Sequence, residues 1–229
     1  MLKISKLYFG LFFFCISILT TSTLLAQATD VLMTNSRSID KDRYKGVKGS
    51  PYQFEDWQKG KIISVDADVI EGVLLNFNGK TEGFEIKKGD NFIELDPKWY
   101  IRVLLEEESG EVITFQKNFL PPLANKFTRV VYKSENLSIV EDFISKIEVK
   151  VVNNVGKKEE FKRFYSKRNL FLVKDKKITL LKRKKKSLYA LLGHKAELEK
   201  FIKKEKLKLS TEAGLIKLFA FYEESGFSK

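Results

Sequence analysis

The sequence predicts a mainly β domain with a short helical tail, and three observations carry that prediction. Between Gly60 and Leu181 the apolar residues fall in short, partly alternating runs rich in Val, Ile, Phe and Tyr. Turn-forming residues separate those runs at roughly 8–12-residue intervals, the spacing of an antiparallel meander closed as a barrel-like or sandwich unit. After Leu181 the apolar spacing switches to i, i+3, i+4, which predicts a C-terminal helical hairpin.

The amino terminus reads as an export signal. Lys3 and Lys6 precede the apolar run Leu7–Leu19, and Ala26-Gln27-Ala28 supplies small residues at the positions a signal peptidase reads. The run is shorter than the roughly 20 apolar residues that span a bilayer. Residues 1–28 are therefore expected as a cleaved signal peptide. The mature chain is then periplasmic or extracellular, and not an integral membrane protein. Cys15, the only cysteine, lies inside the apolar run without a lipobox. The mature chain then has no disulfide, no thiolate metal site and no cysteine nucleophile.

Residues 29–50 are polar and without periodicity, and are expected as a flexible leader. The β domain is expected over 51–182. Ile62–Val65 and Val69–Phe77 read as its first strands. Asn78-Gly79 then predicts a two-residue type I′ turn, whose two central residues need φ > 0. Strands follow at 81–86, 91–95, 99–105, 111–117, 127–133, 136–140, 146–152, 161–165, 170–173 and 178–181. Asp96-Pro97 stops one of them, and Leu120-Pro121-Pro122-Leu123 interrupts pairing because proline lacks the amide donor. The tail, 183–229, carries apolar stripes at Leu188, Leu191 and Leu192, at Leu198, Phe201 and Ile202, and at Leu215, Leu218, Phe219 and Tyr222. Ser210 reads as the N-cap of the last helix and Gly226 as its stop.

The formal net charge is +12, and it is unevenly placed. Residues 157–186 hold 14 basic and 3 acidic side chains, ending in Lys182-Arg183-Lys184-Lys185-Lys186, whereas residues 29–156 are slightly acidic. One reading of this is a solvated, aggregation-blocking edge. The other is an electrostatic patch, with Lys177, Lys182, Arg183, Lys184, Lys185 and Lys186 as anion-binding candidates. In an exported protein the partners that fit are anionic lipid, lipopolysaccharide or acidic polysaccharide rather than nucleic acid.

Catalytic chemistry finds little foothold. His194, the only histidine, follows Gly193 near a helix start, and no serine has a nucleophile-elbow context. Paired carboxylates could serve a hydrolase acting on envelope glycans, and the available acids are Asp66, Asp68, Glu71, Glu106, Glu107, Glu108 and Glu111. Asp66, Asp68 and Glu71 also offer oxygen ligands for calcium, without EF-hand spacing. Phosphate-cradling glycine motifs are missing, so no cofactor, catalytic or metal-binding residue is assigned. The expectation is a non-enzymatic envelope protein with a basic binding segment. The alternatives are the hydrolase and, if the β domain encloses an apolar cavity, a lipid or small-molecule carrier.

Several segments together resemble an uncharacterised family of exported proteins from Bacteroidota-type bacteria. They are Gly49-Ser50-Pro51-Tyr52, Lys59-Gly60, Glu94-Leu95-Asp96-Pro97, Lys184-Lys185-Lys186, Leu188 with Leu191-Leu192-Gly193, Phe201-Ile202-Lys203-Lys204 and Tyr222. The resemblance spans nearly all of the mature chain and departs at the more aromatic Gln53–Trp57. It implies a Gram-negative envelope setting. No activity is assigned to that family, so no functional residue is carried over.

Overall fold

The computed structural model describes residues 36–107, 109–117, 120–154 and 157–227. The expected signal peptide lies outside them. Half of the described residues lie in strands and three helices follow among them, so the mainly β class with a helical C-terminal region holds. The strands are β1 (Arg37–Ile39), β2 (Val47–Lys48), β3 (Gln58–Ser64), β4 (Val69–Asn78), β5 (Gly83–Lys88), β6 (Asn91–Glu94), β7 (Tyr100–Glu106), β8 (Val112–Lys117), β9 (Phe127–Lys133), β10 (Leu137–Asn154), β11 (Lys157–Lys174) and β12 (Lys177–Leu181). The helices are α1 (Lys185–Leu192), α2 (Lys195–Lys204) and α3 (Glu212–Glu224), one more than a hairpin.

All twelve strands join one sheet in the order β1-β6-β5-β4-β3-β7-β8-β9-β10-β11-β12, with β2 parallel to β11. From β3 onward the meander is broken once. After β6, a 3-10 turn at Pro97–Trp99, capped by Asp96 accepting from the Lys98 amide, carries the chain across to β7 beside β3. That return beside an earlier strand is a Greek-key step. The strand path has two ends, and no ladder among the described residues joins them, so barrel closure is not part of the observed fold.

Two main cores sit along this sheet. The curled first part packs aromatic rings against one another. Tyr100 stacks on Phe127 at 4.6 Å between ring centroids, and Phe84 meets Phe77, Phe115 and Phe127 edge-on at 5.0–5.9 Å. The second core lies under the helices, where Leu188, Leu198, Leu215, Leu218 and Phe219 cover Ile139, Leu170, Leu172 and Leu181. The stripes read from the sequence thus pack both on each other and on the sheet. The cap of α3 is Thr211, one residue beyond the expected Ser210, and it accepts from the Gly214 amide.

Residues 36–50 differ from the flexible leader expected of them. β1 adds to β6 at one end of the sheet and β2 adds to β11 near the other. Between them Arg43 reaches a fully buried carboxylate, Glu85. The order comes from long-range partners, which a polar local sequence does not reveal.

Two further differences are local. Asn78-Gly79 is not a two-residue turn: the β4–β5 loop runs over residues 79–82, with Asn78 opposite Gly83, and the positive φ belongs to Glu82. Gly79 is required for close approach instead, because a Cβ there would lie 2.6 Å from the Phe143 ring and 2.9 Å from the Ser145 nitrogen. Among the described residues the two-residue turn with both central φ positive is Asp175-Lys176, between β11 and β12. Second, the four runs expected between 136 and 173 are two strands of 18 residues, paired without a break from Leu137↔Lys174 to Asn154↔Lys157.

The Gly79 contact makes a direct prediction. Gly79→Ala should destabilise the protein by about 1–3 kcal/mol through overpacking against Phe143. Gly83→Ala, where a Cβ would meet nothing nearer than Thr81 Oγ1 at 3.8 Å and the backbone is outside the left-handed region, should cost less. Chemical denaturation of the two variants separates the outcomes, and equal, small losses would show that Phe143 yields freely.

Candidate anion-binding site

The chemistry-bearing part of the fold lies where the two cores meet. Side chains two apart on β10 share a face, and along one face they read Leu137, Ile139, Glu141, Phe143. The first two belong to the helix-covered core and Phe143 to the aromatic core. Glu141 falls between them and is 3% exposed. A charge so placed needs partners, and it has three. Arg168 on β11, which pairs with Phe143 and so lies diagonally across from Glu141, donates to it at 2.9 Å, Gln53 Nε2 donates at 3.2 Å, and Arg129 on β9 donates at 3.3–3.4 Å. Arg129 also forks onto Glu212 in the first turn of α3, and Arg168 donates to the Gln53 carbonyl at 3.1 Å. One carboxylate therefore ties three adjacent strands and the segment before β3 together, and through Arg129 reaches α3.

Beside this network a surface cleft of about 290 Å³ is lined by Glu141, Arg168, Leu170, Leu181 and Arg183. Its layout follows from register. Leu170 pairs with Leu181, and continuing that antiparallel register brings Arg183 opposite Arg168. The two leucines form an apolar floor and the two guanidinium groups line the same opening. Arg168 is half exposed, and Arg183 is anchored by donating to the Ser210 carbonyl at 2.6 Å. Of the residues singled out by charge, only Arg183 reaches this cleft. Arg168 was not singled out. Its signal was the pair of acids, Glu141-Asp142, interrupting an apolar run, since buried acids demand basic neighbours.

The other candidates lie around it. Lys177 opens β12 and is exposed. Lys182 and Lys184 flank Arg183 in the link to α1, and Lys185 and Lys186 form the first turn of α1, all exposed. None of these five lysines takes part in an ion pair among the described residues. No side chain caps the start of α1 and its first turn has no acid. Positive charges at the positive end of a helix repel it, so this end is electrostatically frustrated unless an anion is present.

The acids considered for catalysis fall at separate places on the surface, and two of them share a cleft. Asp66 and Asp68 sit on an exposed turn with their amides bound to Ser64 Oγ. Glu71 pairs with Lys61 at the surface, and Glu106 and Glu111 are exposed. Glu106 and Glu107 line a separate cleft of about 380 Å³ together with Asp56, and Glu108 lies outside the described residues. Among the described residues no three His, Cys, Asp or Glu side chains gather as a metal site, Asp66, Asp68 and Glu71 included. His194 is exposed and stacks on Phe227 at 4.0 Å. A second buried acid, Glu85, is also engaged: Arg43, Tyr52 and Asn78 each donate to it at 2.6 Å. Burial and that hydrogen bond push the Tyr52 hydroxyl well above its ordinary pKa.

Asp142, on the opposite face of β10, is 5% exposed, and burial pushes its carboxyl above the ordinary value, with Lys126 opposing and Glu82 adding to the rise. A carboxyl whose folded pKa exceeds its unfolded one favours folding at low pH, and that advantage is lost as pH rises through the folded value. Asp142→Asn should therefore stabilise the protein at neutral pH, with the gain vanishing below the ordinary aspartate pKa of about 4. Glu141→Ala should do the reverse and cost about 3–5 kcal/mol, because it leaves Arg129 and Arg168 without their shared partner. Denaturation curves at pH 3 and pH 7 for both variants check the two signs. No protein-family model, no curated protein and no solved structure matches this chain.

Proposed function

We propose that the chain is an exported, non-enzymatic binding protein that holds an anionic group of an envelope component at the Arg168–Arg183 cleft. The carrying observation is that guanidinium groups from β11 and from the segment after β12 line one opening over an apolar floor. Arginine presents a planar fork that matches carboxylate, phosphate and sulfate oxygens. Lys182, Lys184, Lys185 and Lys186 flank the opening in sequence and add attraction at longer range. The uncapped start of α1 adds backbone donors of the same polarity. The export pattern of residues 1–28 supplies the compartment. There the abundant polyanions are lipid headgroups, lipopolysaccharide phosphates and acidic polysaccharides. All share oxyanion chemistry.

Among the described residues no helix is long and apolar enough to cross a membrane, so attachment is argued from charge alone. Binding of the protein to phosphatidylglycerol vesicles, to purified lipopolysaccharide and to polygalacturonate tests the reading and separates the sources. At least one should bind at 50 mM salt and lose most of its affinity at 1 M, where the Debye length is about 3 Å. Arg183→Gln, and separately a Lys184→Gln, Lys185→Gln, Lys186→Gln triple variant, should each weaken that binding by about tenfold with an unchanged thermal midpoint. Binding that ignores both salt and the variants, or no binding to any of the three, defeats the proposal.

A further inference from the structure

The distal half of the β10–β11 hairpin carries an alternating pattern that the fold leaves unused. Beyond Ser145, β10 reads Lys146, Ile147, Glu148, Val149, Lys150, Val151, Val152. Alternation of this kind normally marks a strand with one buried face. Here Ile147, Val149 and Val151 are 37%, 59% and 47% exposed.

The edge of this segment is open as well. β9 pairs with β10 only as far as Glu141, and the Ser145 amide then donates outward to the Gly79 carbonyl. Outward-pointing backbone groups recur every second residue in an antiparallel ladder. Those of Ile147, Val149 and Val151 therefore point away from β11, and none of them has a backbone partner among the described residues. Seven residues, 146–152, thus form a free edge bounded on one side by the Ser145–Gly79 contact and on the other by the hairpin end. Natural proteins block such edges unless they are used.

The sequence of this edge is complementary to itself. About a two-fold axis at Val149, an antiparallel second copy would set Val149 against Val149, Ile147 against Val151 and Glu148 against Lys150. The last two pairs occur twice. The apolar face would then join six exposed side chains, and the other face would hold two opposite-charge cross-strand pairs. Val149 is also the midpoint of the free run, so this register uses the whole edge and brings each hairpin end up to the other copy's Ser145 without overlap.

We propose that β10 pairs with β10 of a second copy of this chain in this register, giving a two-fold dimer with a continuous sheet. Such a pairing is isologous, as closed dimers require. It is independent of the Arg168–Arg183 cleft. A seven-residue strand pair buries less than the roughly 1,200 Å² of a stable interface, which sets the dimer in the reversible, micromolar range.

Analytical ultracentrifugation of the protein over a micromolar to millimolar range tests this. A concentration-dependent dimer is expected. Glu148→Lys alone and Lys150→Glu alone should each weaken association by about tenfold, because two attractive pairs become repulsive. The double variant Glu148→Lys/Lys150→Glu should restore it. Val149→Pro removes an outward amide without touching the β11 ladder and should abolish the dimer while leaving the monomer folded. In a Cys15→Ser background, Val149→Cys should form a disulfide-linked dimer on mild oxidation, since facing Cα atoms of a hydrogen-bonded pair lie about 5.5 Å apart. A monomer at every concentration overturns the proposal. So does a dimer unmoved by Val149→Pro, a double charge variant as weak as the singles, or an edge that engages only phosphatidylglycerol vesicles.

Discussion

The junction between the two cores of this fold is held in register by one buried carboxylate. Glu141 sits on β10 between residues that serve two different cores, Ile139 under the helices and Phe143 among the aromatic rings. A sheet of this length has no single interior, and its two halves could pack well while slipping against one another. Apolar contacts would not resist that slip strongly, because burial is non-directional. A carboxylate at the junction resists it because the network works only in one arrangement, with Arg129 from β9, Arg168 from β11 and Gln53 all in reach. Such a pair adds little net stability over apolar residues of the same shape, yet losing one partner is costly. Its contribution is specificity of register.

The leader repeats this logic on a smaller scale. β1 extends one end of the sheet and β2 lies along β11, and the turn between them delivers Arg43 to Glu85. The apolar surface it adds is small, so its hold depends on the buried ionic contact and on edge stacking such as Tyr44 on Phe164. A sheet open at both ends is thereby strapped by its own amino-terminal segment. With no cysteine after residue 15, these ionic ties do the locating that a disulfide could otherwise do.

Much of this was legible in the residues, for a physical reason that also marks the limit. Alternation and helical stripes report which side chain is buried, and those patterns located the strands from β3 onward, with β10 and β11 in pieces, and all three helical stripes. They do not report which strand lies beside which, so β7 returning next to β3 was invisible. Nor do they separate a break in a strand from a polar junction inside one. Glu141-Asp142 looked like an end to the apolar run and is instead the middle of an 18-residue strand. Asn78-Gly79 shows the same limit: its glycine is dictated by Phe143, 64 residues away, and not by the local turn. The basic run at 182–186 was easy to see, while the arginine that makes a cleft of it, Arg168, becomes visible only once β11 is laid against β12.

The distal hairpin brings these strands of argument together. An edge bearing Ile147, Val149 and Val151 would be an aggregation hazard if it were uniformly apolar and flat. The charges interleaved with them change what the edge can accept. Lys146, Glu148 and Lys150 point to the opposite face of the same strand, so a partner must match them while it covers the valines. Most registers of a second strand would place like charges together or leave a lysine against the apolar face. A shift of one residue would also turn the apolar side chains of the partner to the wrong side. The features that make this edge sticky and the features that make it selective are therefore the same seven residues. In Glu141 a charge fixes the register inside one chain, and on the free edge Glu148 and Lys150 are positioned to fix it between two.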